Sequence, residues 1–335
     1  MLILLWGIGA EEPLVAVLQE LIRLGAATCL IDQHDVLNTE IELDVAANIG
    51  GKVRTKDQVI DLTEVTACYL RPYNWQDFAA LAHVPMNSSA WYHAAAIEDV
   101  LSCWSEITPA LVVNRLAAMA GNGSKPYQLA HIRRFGFRVP DTIVTTDPGV
   151  ARAFWEHHGS VIYKSVSGVR SRVSRLKSEH LERLADVASC PTQFQRYIAG
   201  TDYRAHVVGA EVFACEVRSE ADDYRYPGPH KVDIEACHLP SEVEDRCRRL
   251  AASMQLFVAG IDLRLSDRDG EWYCFEVNTS PAFTYYEDRA GLPIGAAIAR
   301  LLAAGAADPR RTTQRRRPSA VMIPAIEKSL QPRPR

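Results

Sequence analysis

The chain has 335 residues, 47% of them hydrophobic and 23% charged, which is enough apolar material for two or three packed units. No run approaches the ~18 apolar residues of a membrane span, and the apolar opening MLILLWGIGA has no basic lead-in, so it reads as a strand rather than a signal peptide. Eight cysteines, scattered without CxxC or Cys/His spacing, exclude a zinc framework and read as reduced core residues of a cytoplasmic protein.

The net charge of -4 is unevenly spread. From Ala307 onward eight Lys/Arg stand against Asp308 and Glu327, and this basic, proline-bearing stretch (306–335) is expected to be a disordered tail. A solvated terminus is the expectation there, not a nucleic-acid contact.

Residues 2 to 6 form an apolar strand, Pro13 to Leu24 carry apolar residues at helical spacing, and the strand ATCLID follows. In this beta-alpha-beta opening WGIGAEE supplies Gly7 and Gly9, but Glu12 stands where the dinucleotide fingerprint needs its third glycine. An acid at that helix start repels a pyrophosphate, so the glycines read as a structural turn. A strand ends at YLRPY (69–73), and Ala90 to Ile107 read as helix, closing a first unit at about residue 112. Then come a helix broken at Gly136, a strand leading in from Pro140, and VIYKSVSGVRSRVSRL as two short strands around a Ser/Gly loop. A helical segment, the strand PTQFQRYI, a sheet-rich region to Pro281 and a final helix after Gly291 complete the folded chain.

The stretch FVAGIDLRLSDRDGEWYCFEVN reads as a hairpin turning at SDRDG. Ile261, Leu263 and Leu265 alternate with Asp262 and Arg264; Phe275 and Val277 alternate with Glu276 and Asn278. If both apolar sets face one core, Asp262, Glu276 and Asn278 share the opposite face. Such an all-oxygen set suits Mg2+, completed by water and phosphate oxygens. Lys164, ending the apolar VIYK beside the small residues of SVSG, and Lys125, after the turn GNGS at a helix start, supply cations and backbone amides for an anion.

The order of Lys125, VIYKSVSG, FQRYIAGTDYRAHVVG, GIDLRL and FEVNTSP resembles the ATP-grasp superfamily, in particular its peptide- and protein-modifying ligases, which include ribosomal-protein glutamate ligases and graspetide (microviridin-type) macrocyclases. The resemblance spans roughly residues 111 to 305. It implies an α/β (α+β) fold with a Rossmann-like pre-ATP-grasp domain (1–112), a central lid subdomain (113–190) and a C-terminal antiparallel-sheet subdomain with the metal site (191–305). It also implies that Lys125 and Lys164 hold the ATP phosphates beneath a lid containing Ser165 and Gly168. The backbone of Gln195, Arg196, Tyr197 and Ile198 would meet the adenine edge, and Asp202 the ribose. Asp262, Glu276 and Asn278 would bind two Mg2+ ions, for which Mn2+ could substitute, with Glu276 bridging. Arg204 and Arg225 would face the transferred phosphoryl group and the substrate carboxylate.

The implied reaction makes an acyl phosphate and ADP, after which an amine or hydroxyl displaces phosphate. The stretch EVRSEADDYRYPGPH is similar to the substrate-facing loop of the peptide-modifying branch and points to a peptide carboxylate, such as that of a precursor peptide. TSPAFTYYE departs from the graspetide pattern after Asn278, so intermolecular ligation of an amino acid or peptide stays open beside ring closure. Amide against ester, a phosphotransferase on the same fold, and a homodimer are likewise left open.

Overall fold

The structure, a computed structural model, describes residues 2–45, 49–166, 173–221, 223–226 and 229–307. It opens with β1 (Leu2–Gly7), α1 (Glu12–Arg23) and β2 (Thr28–Asp32), continues through β3 (Glu40–Asp44), β4 (Gly50–Arg54) and β5 (Val59–Asp61), and returns with β6 (Val65–Arg71), α2 (Ser89–Ile107) and β7 (Leu111–Val113). Strands β2-β1-β6-β7 form a parallel sheet; β3-β4-β5 form a separate antiparallel one, which the alternation of Ile41, Leu43, Val53 and Ile60 builds against the same core. Pro13 opens α1, where its missing N–H costs nothing, and Leu14, Val17 and Leu21 bury its inner face. Ser88 caps α2, its hydroxyl accepting from Trp91 N–H at 3.3 Å.

The WGIG turn is built for close packing. A β-carbon on Gly7 would lie 2.8 Å from the Arg71 carbonyl oxygen, and one on Gly9 2.5 Å from the Asp32 carboxylate. Both glycines are therefore used by the protein itself, as expected of a structural turn.

Two short helices follow, α3 (Leu116–Met119) and α4 (Lys125–Arg133), then a four-stranded sheet in the order β10-β9-β11-β8. Its members are β8 (Thr142–Thr145), β9 (Val161–Ser165), β10 (Ser174–Arg175) and β11 (Thr192–Arg196), with α5 (Pro148–His158) and a 3-10 run, Ser178–Ser189, packed on one face. The third sheet, in the order β14-β13-β12-β15-β16, is antiparallel: β12 (Gly200–Val208), β13 (Glu211–Ser219), β14 (Val232–Cys237), β15 (Val258–Ser266) and β16 (Trp272–Asn278). Helix α6 (Ser241–Ser253) and α4 cover its one face; α7 (Thr284–Ala290) and α8 (Ile294–Ala307) lie beside part of the other.

The cores cross the divisions expected at 113–190 and 191–305. Ile132 and Phe137 pack with Ala205, Ile261 and Val277 of the large sheet, whereas Phe194 packs with Val161 in the four-stranded sheet. Ile298 and Leu302 of α8 join the core of the parallel sheet with Leu14 and Tyr69. Helix α8 runs to Ala307, into the segment expected as tail; residues 308–335 lie outside the described residues.

One expectation about the hairpin is corrected. Strands β15 and β16 pair Asp262 with Glu276 but Leu263 with Cys274, so Phe275 is an extra residue in a bulge. Cys274, fully buried, takes the inward position with Ile261, Leu263 and Val277, and Phe275 turns out of that core.

Candidate active site

Three neighbouring strands lay the charged residues out in rows. On β12 and β15 Asp202 stands opposite Arg264; in the next row Arg204, Asp262 and Glu276 stand side by side on β12, β15 and β16; the third row holds His206, Gly260 and Asn278. Paired positions share a face, so all of these point away from the core that holds Ile261 and Val277.

Arg204 is the centre of this lattice. It is 5% exposed, its Nη1 donates to Asp262 Oδ1, and its Nε lies 3.4 Å from His206 Nε2. Burial works against its charge, but Asp262 and the neighbouring Tyr286 and Tyr224 outweigh it and the pKa rises. His206, buried beside Arg204, is pushed the other way, well below the ordinary histidine value, first by burial and then by Arg204, so it stands neutral and accepts from the guanidinium. The absence of a side chain at residue 260 makes room: a β-carbon there would sit 1.9 Å from Arg204 Nη2.

The four-stranded sheet faces this lattice. Lys164 on β9 and Gln193 on β11 are opposite one another, as are Ile162 and Gln195, which puts the four on one face while Phe194 and Tyr163 face α5. The Lys164 ammonium is 6% exposed and is pushed down to about 8, first by burial; Lys125 and Arg225 add to the effect, while Glu276 and Asp262 oppose it. A pocket lies here. Lys164, Ile162, Gln195 and Tyr197 line it from the four-stranded sheet and its exit, Asp262, Phe275 and Glu276 from the large sheet, and Asp223 and Arg225 line it as well.

The expected site residues have different fates. Lys125 opens α4, 3% exposed, close enough to Lys164 to perturb it. Arg225 donates from Nε and Nη2 to Asp223 at 2.8 and 2.9 Å; burial would raise the Asp223 carboxyl, but Arg225 brings it below its ordinary value. Asp202, expected at the ribose, lines the pocket, and its two oxygens each accept from Arg264 at 2.7 Å. Arg264 also donates to the Ile198 carbonyl at 2.7 Å.

The backbone expected at an adenine edge is partly spent: Arg196 N–H donates to Asp141 O and Tyr197 N–H to Ser160 O, each at 2.9 Å. The Arg196 side chain donates to Tyr273 Oη at 3.0 Å and does not line the pocket. Gln195 Oε1, by contrast, is buried without a partner, while its Nε2 donates to Thr142. Ser165 is exposed and, by strand alternation, faces away from Lys164. Gly168 lies outside the described residues.

The sequence reading missed four participants. Phe275 enters through the bulge. Gln128, one turn after Lys125 on α4, exchanges two hydrogen bonds with the backbone of Val277, between Glu276 and Asn278. Asn114 holds the start of β15 and the carbonyl of Thr279. Arg264 neutralises Asp202 from 62 residues away. Only Gln128 carried a signal, a polar residue beside the apolar Leu129 and Ile132 on the buried face of the helix that Lys125 opens.

A RimK-like ATP-grasp domain model matches residues 125–302, more than half of the chain. The chain belongs to the RimK-like ATP-grasp family. Among solved structures it is similar to the ATP-grasp ligase PsnB in complex with a minimal precursor, at 26% identity, with 90% of this chain and 98% of that one covered and a TM-score of 0.76. It is also similar in fold to the Chryseobacterium gregarium RiPP-associated ATP-grasp ligase in complex with ADP and a leader and core peptide (22% identity, 92% and 98% covered, TM-score 0.77). The macrocyclase MdnC from Microcystis aeruginosa MRC, bound with precursor peptide MdnA, shares the fold as well (21% identity, 90% and 99% covered, TM-score 0.75). No curated protein matches the chain. PsnB has also been solved with a minimal precursor, Mg and ADP (26% identity, 91% and 97% covered, TM-score 0.76).

The residues present in this chain fit a metal ion and a nucleotide. Among the described residues no three His, Cys, Asp or Glu side chains group to hold a metal by themselves. Asp262 and Glu276 with the Asn278 amide are instead two carboxylates and a neutral oxygen, an incomplete set that suits an ion completed by water and phosphate. The orphaned Gln195 Oε1 is an acceptor with nothing to accept from, which an exocyclic amino group of a base would satisfy.

Proposed function

We propose that this ATP-grasp ligase activates a carboxylate of a peptide or protein substrate, a precursor peptide by kinship with the ligases it resembles, and joins it to an amine or hydroxyl. The observation that carries this reading is the pocket in which Lys164 faces Asp262 and Glu276 with Arg225 beside them, while Lys125 stands close to Lys164 and Arg204 is paired to Asp262. A carboxylate is a poor electrophile, and phosphorylation by ATP turns its oxygen into a leaving group. The γ-phosphoryl group passes to the carboxylate oxygen, ADP leaves, and the acyl phosphate is attacked by the nucleophile with expulsion of phosphate.

Lys125 and Lys164 hold the phosphates, and Gln195 with the Tyr197 segment meets the base. Asp262, Glu276 and Asn278 would hold Mg2+, which when bound neutralises charge on the phosphate oxygens. Arg204 and Arg225 face the phosphoryl group and the substrate carboxylate, stabilising the charge that develops as the bond transfers; a contact of this kind is worth ~3 kcal/mol. Asp202 acts at one remove, fixing Arg264 beside the base pocket. Among the described residues no helix is long and apolar enough to cross a membrane, and a cytoplasmic location is part of this proposal.

The test is incubation of the protein with ATP, Mg2+ and candidate peptides, including any short peptide encoded beside its gene, followed by mass spectrometry. Loss of one water per bond marks ring closure; a gain of one residue mass marks intermolecular ligation. A stable phosphorylated product with no amide or ester would replace ligation by phosphotransfer.

A further inference from the structure

β16 is an edge strand of its sheet, so its outer backbone groups need partners that no neighbouring strand supplies. At its start Arg138 does this with its own backbone, donating to Trp272 O at 3.0 Å and accepting from Cys274 N–H at 2.9 Å. Further along, side chains take over. Gln128 Nε2 donates to Val277 O at 2.7 Å, and its Oε1 accepts from Val277 N–H at 3.0 Å. Asn114 Nδ2 donates to Thr279 O at 2.8 Å, and Arg71 Nη1 to Pro281 O at 3.1 Å.

The three targets are alternate carbonyls, at Val277, Thr279 and Pro281. Strand β16 ends at Asn278 and the chain bends at Thr279 and Ser280, with Ser280 N–H donating to Asn278 Oδ1 at 3.0 Å, so three buried side chains hold the segment from Val277 to Pro281 where no strand pairs with it. Asn278 sits between the first two rungs, and Glu276 immediately before the first.

Each rung is anchored elsewhere. Gln128 shares α4 with Lys125, so the lysine and the metal strand are fixed to each other. Asn114 Oδ1 also accepts from Phe257 and Val258 N–H at 2.8 and 3.1 Å, tying the strand of Asp262 to that of Glu276. Arg71 ends β6 of the parallel sheet, where Glu11 accepts from its Nε and Nη2 at 2.6 Å each.

We propose that Gln128, Asn114 and Arg71 are positioning residues that set Asn278 and Glu276 as metal ligands, and that this side-chain ladder couples the parallel sheet to the metal site. The proposal rests on the reading of those two residues as Mg2+ ligands. Loosening a rung lets the ligand-bearing segment drift and weakens metal affinity without removing a ligand.

The experiment uses Mn2+ with ADP as the probe and no turnover: free Mn2+ is followed by electron paramagnetic resonance, and amide hydrogen exchange is followed over residues 277–279. Gln128→Leu removes the first rung; Gln128→Glu keeps its size and the acceptor for Val277 N–H, and serves if the leucine variant does not fold. Both should weaken Mn2+ binding about tenfold and speed exchange at 277–279, and Arg71→Lys should act in the same direction more weakly. In an Asn278→Ala background, Gln128→Leu should add about threefold and not the full tenfold, because one of the two ligands that the rung sets is already gone.

Faster exchange with unchanged Mn2+ affinity would show a brace with no bearing on the metal and overturn the proposal. A full tenfold effect in the Asn278→Ala background would do the same by revealing a general structural loss. Failure of the wild-type protein to bind Mn2+ with ADP would instead overturn the metal reading, and the ladder's role with it, a result distinct from either.

Discussion

Replacing Lys164 with methionine should make the ligand-free protein more stable and unable to use ATP. The ammonium is 6% exposed and lowered from 10.5 to about 8, chiefly by burial, with Lys125 and Arg225 adding and Glu276 and Asp262 opposing. That interval is a charge penalty of about 3 kcal/mol in the folded state. Since the folded value is the lower one, the unfolded chain holds the proton more tightly. The penalty is present in full below pH 8 and is relieved as pH rises from about 8 towards 10.5. Lys164→Met keeps most of the stem and removes the charge, so at pH 7 it should gain roughly 2 to 3 kcal/mol, and the gap to wild type should narrow to under about 1 kcal/mol by pH 10. Thermal unfolding at both pH values, with and without a nonhydrolysable ATP analogue and Mg2+, reads both consequences. Wild type should be stabilised by the nucleotide and the variant should not. A variant that is less stable than wild type at pH 7, or that keeps the full nucleotide-induced shift, would refute the reasoning.

Gly260→Ala places a β-carbon 1.9 Å from Arg204 Nη2 and should expel the guanidinium, lowering peptide-dependent ADP release at least about a hundredfold, equivalent to ~3 kcal/mol, with little change in circular dichroism. Glu276→Gln should lower the same rate at least about a hundredfold at every Mg2+ concentration; recovery at high Mg2+ would assign Glu276 a weaker role. Phe275→Ala tests the bulge: its ring lines the pocket, so KM for ATP should rise severalfold while denaturant unfolding shows a loss under about 1.5 kcal/mol, against ~3 to 5 kcal/mol for the fully buried Phe283→Ala. Equal losses for the two phenylalanines would return Phe275 to the core.

What the sequence made legible follows from how local the signals are. The Asp-Gly turn and the two-residue alternation place Asp262, Glu276 and Asn278 on one face, and the strands pair as that pattern requires. A bulge leaves the same alternating letters on the page, so Phe275 read as inward-facing although Cys274 has that place. The pairing of Asp202 with Arg264 was invisible, and Gln128 showed only as a polar residue on an apolar helix face, because what each of them reaches is set by tertiary packing and not by spacing. The strands from Glu40 to Asp61 went unread for a related reason: they are three to five residues long and half-exposed, with too few alternations to stand out from loop.

The charge balance of the cleft explains why its parts need one another. Lys125, Lys164, Arg204 and Arg225 face Asp223, Asp262 and Glu276, leaving one cation in excess. A triphosphate carries about four negative charges at neutral pH, so nucleotide alone would leave the cleft strongly negative and would repel a substrate carboxylate. Asp262 and Glu276 worsen that imbalance unless divalent ions come with the nucleotide, which is the condition under which those two carboxylates become an asset. With two such ions bound the balance turns slightly positive, and one further negative charge is then welcome. On the proposed reading, the cleft would attract a substrate carboxylate only after metal and nucleotide are in place. The Arg204–Asp262 pair serves that order, because it keeps both charges compensated in a buried site before either ligand arrives.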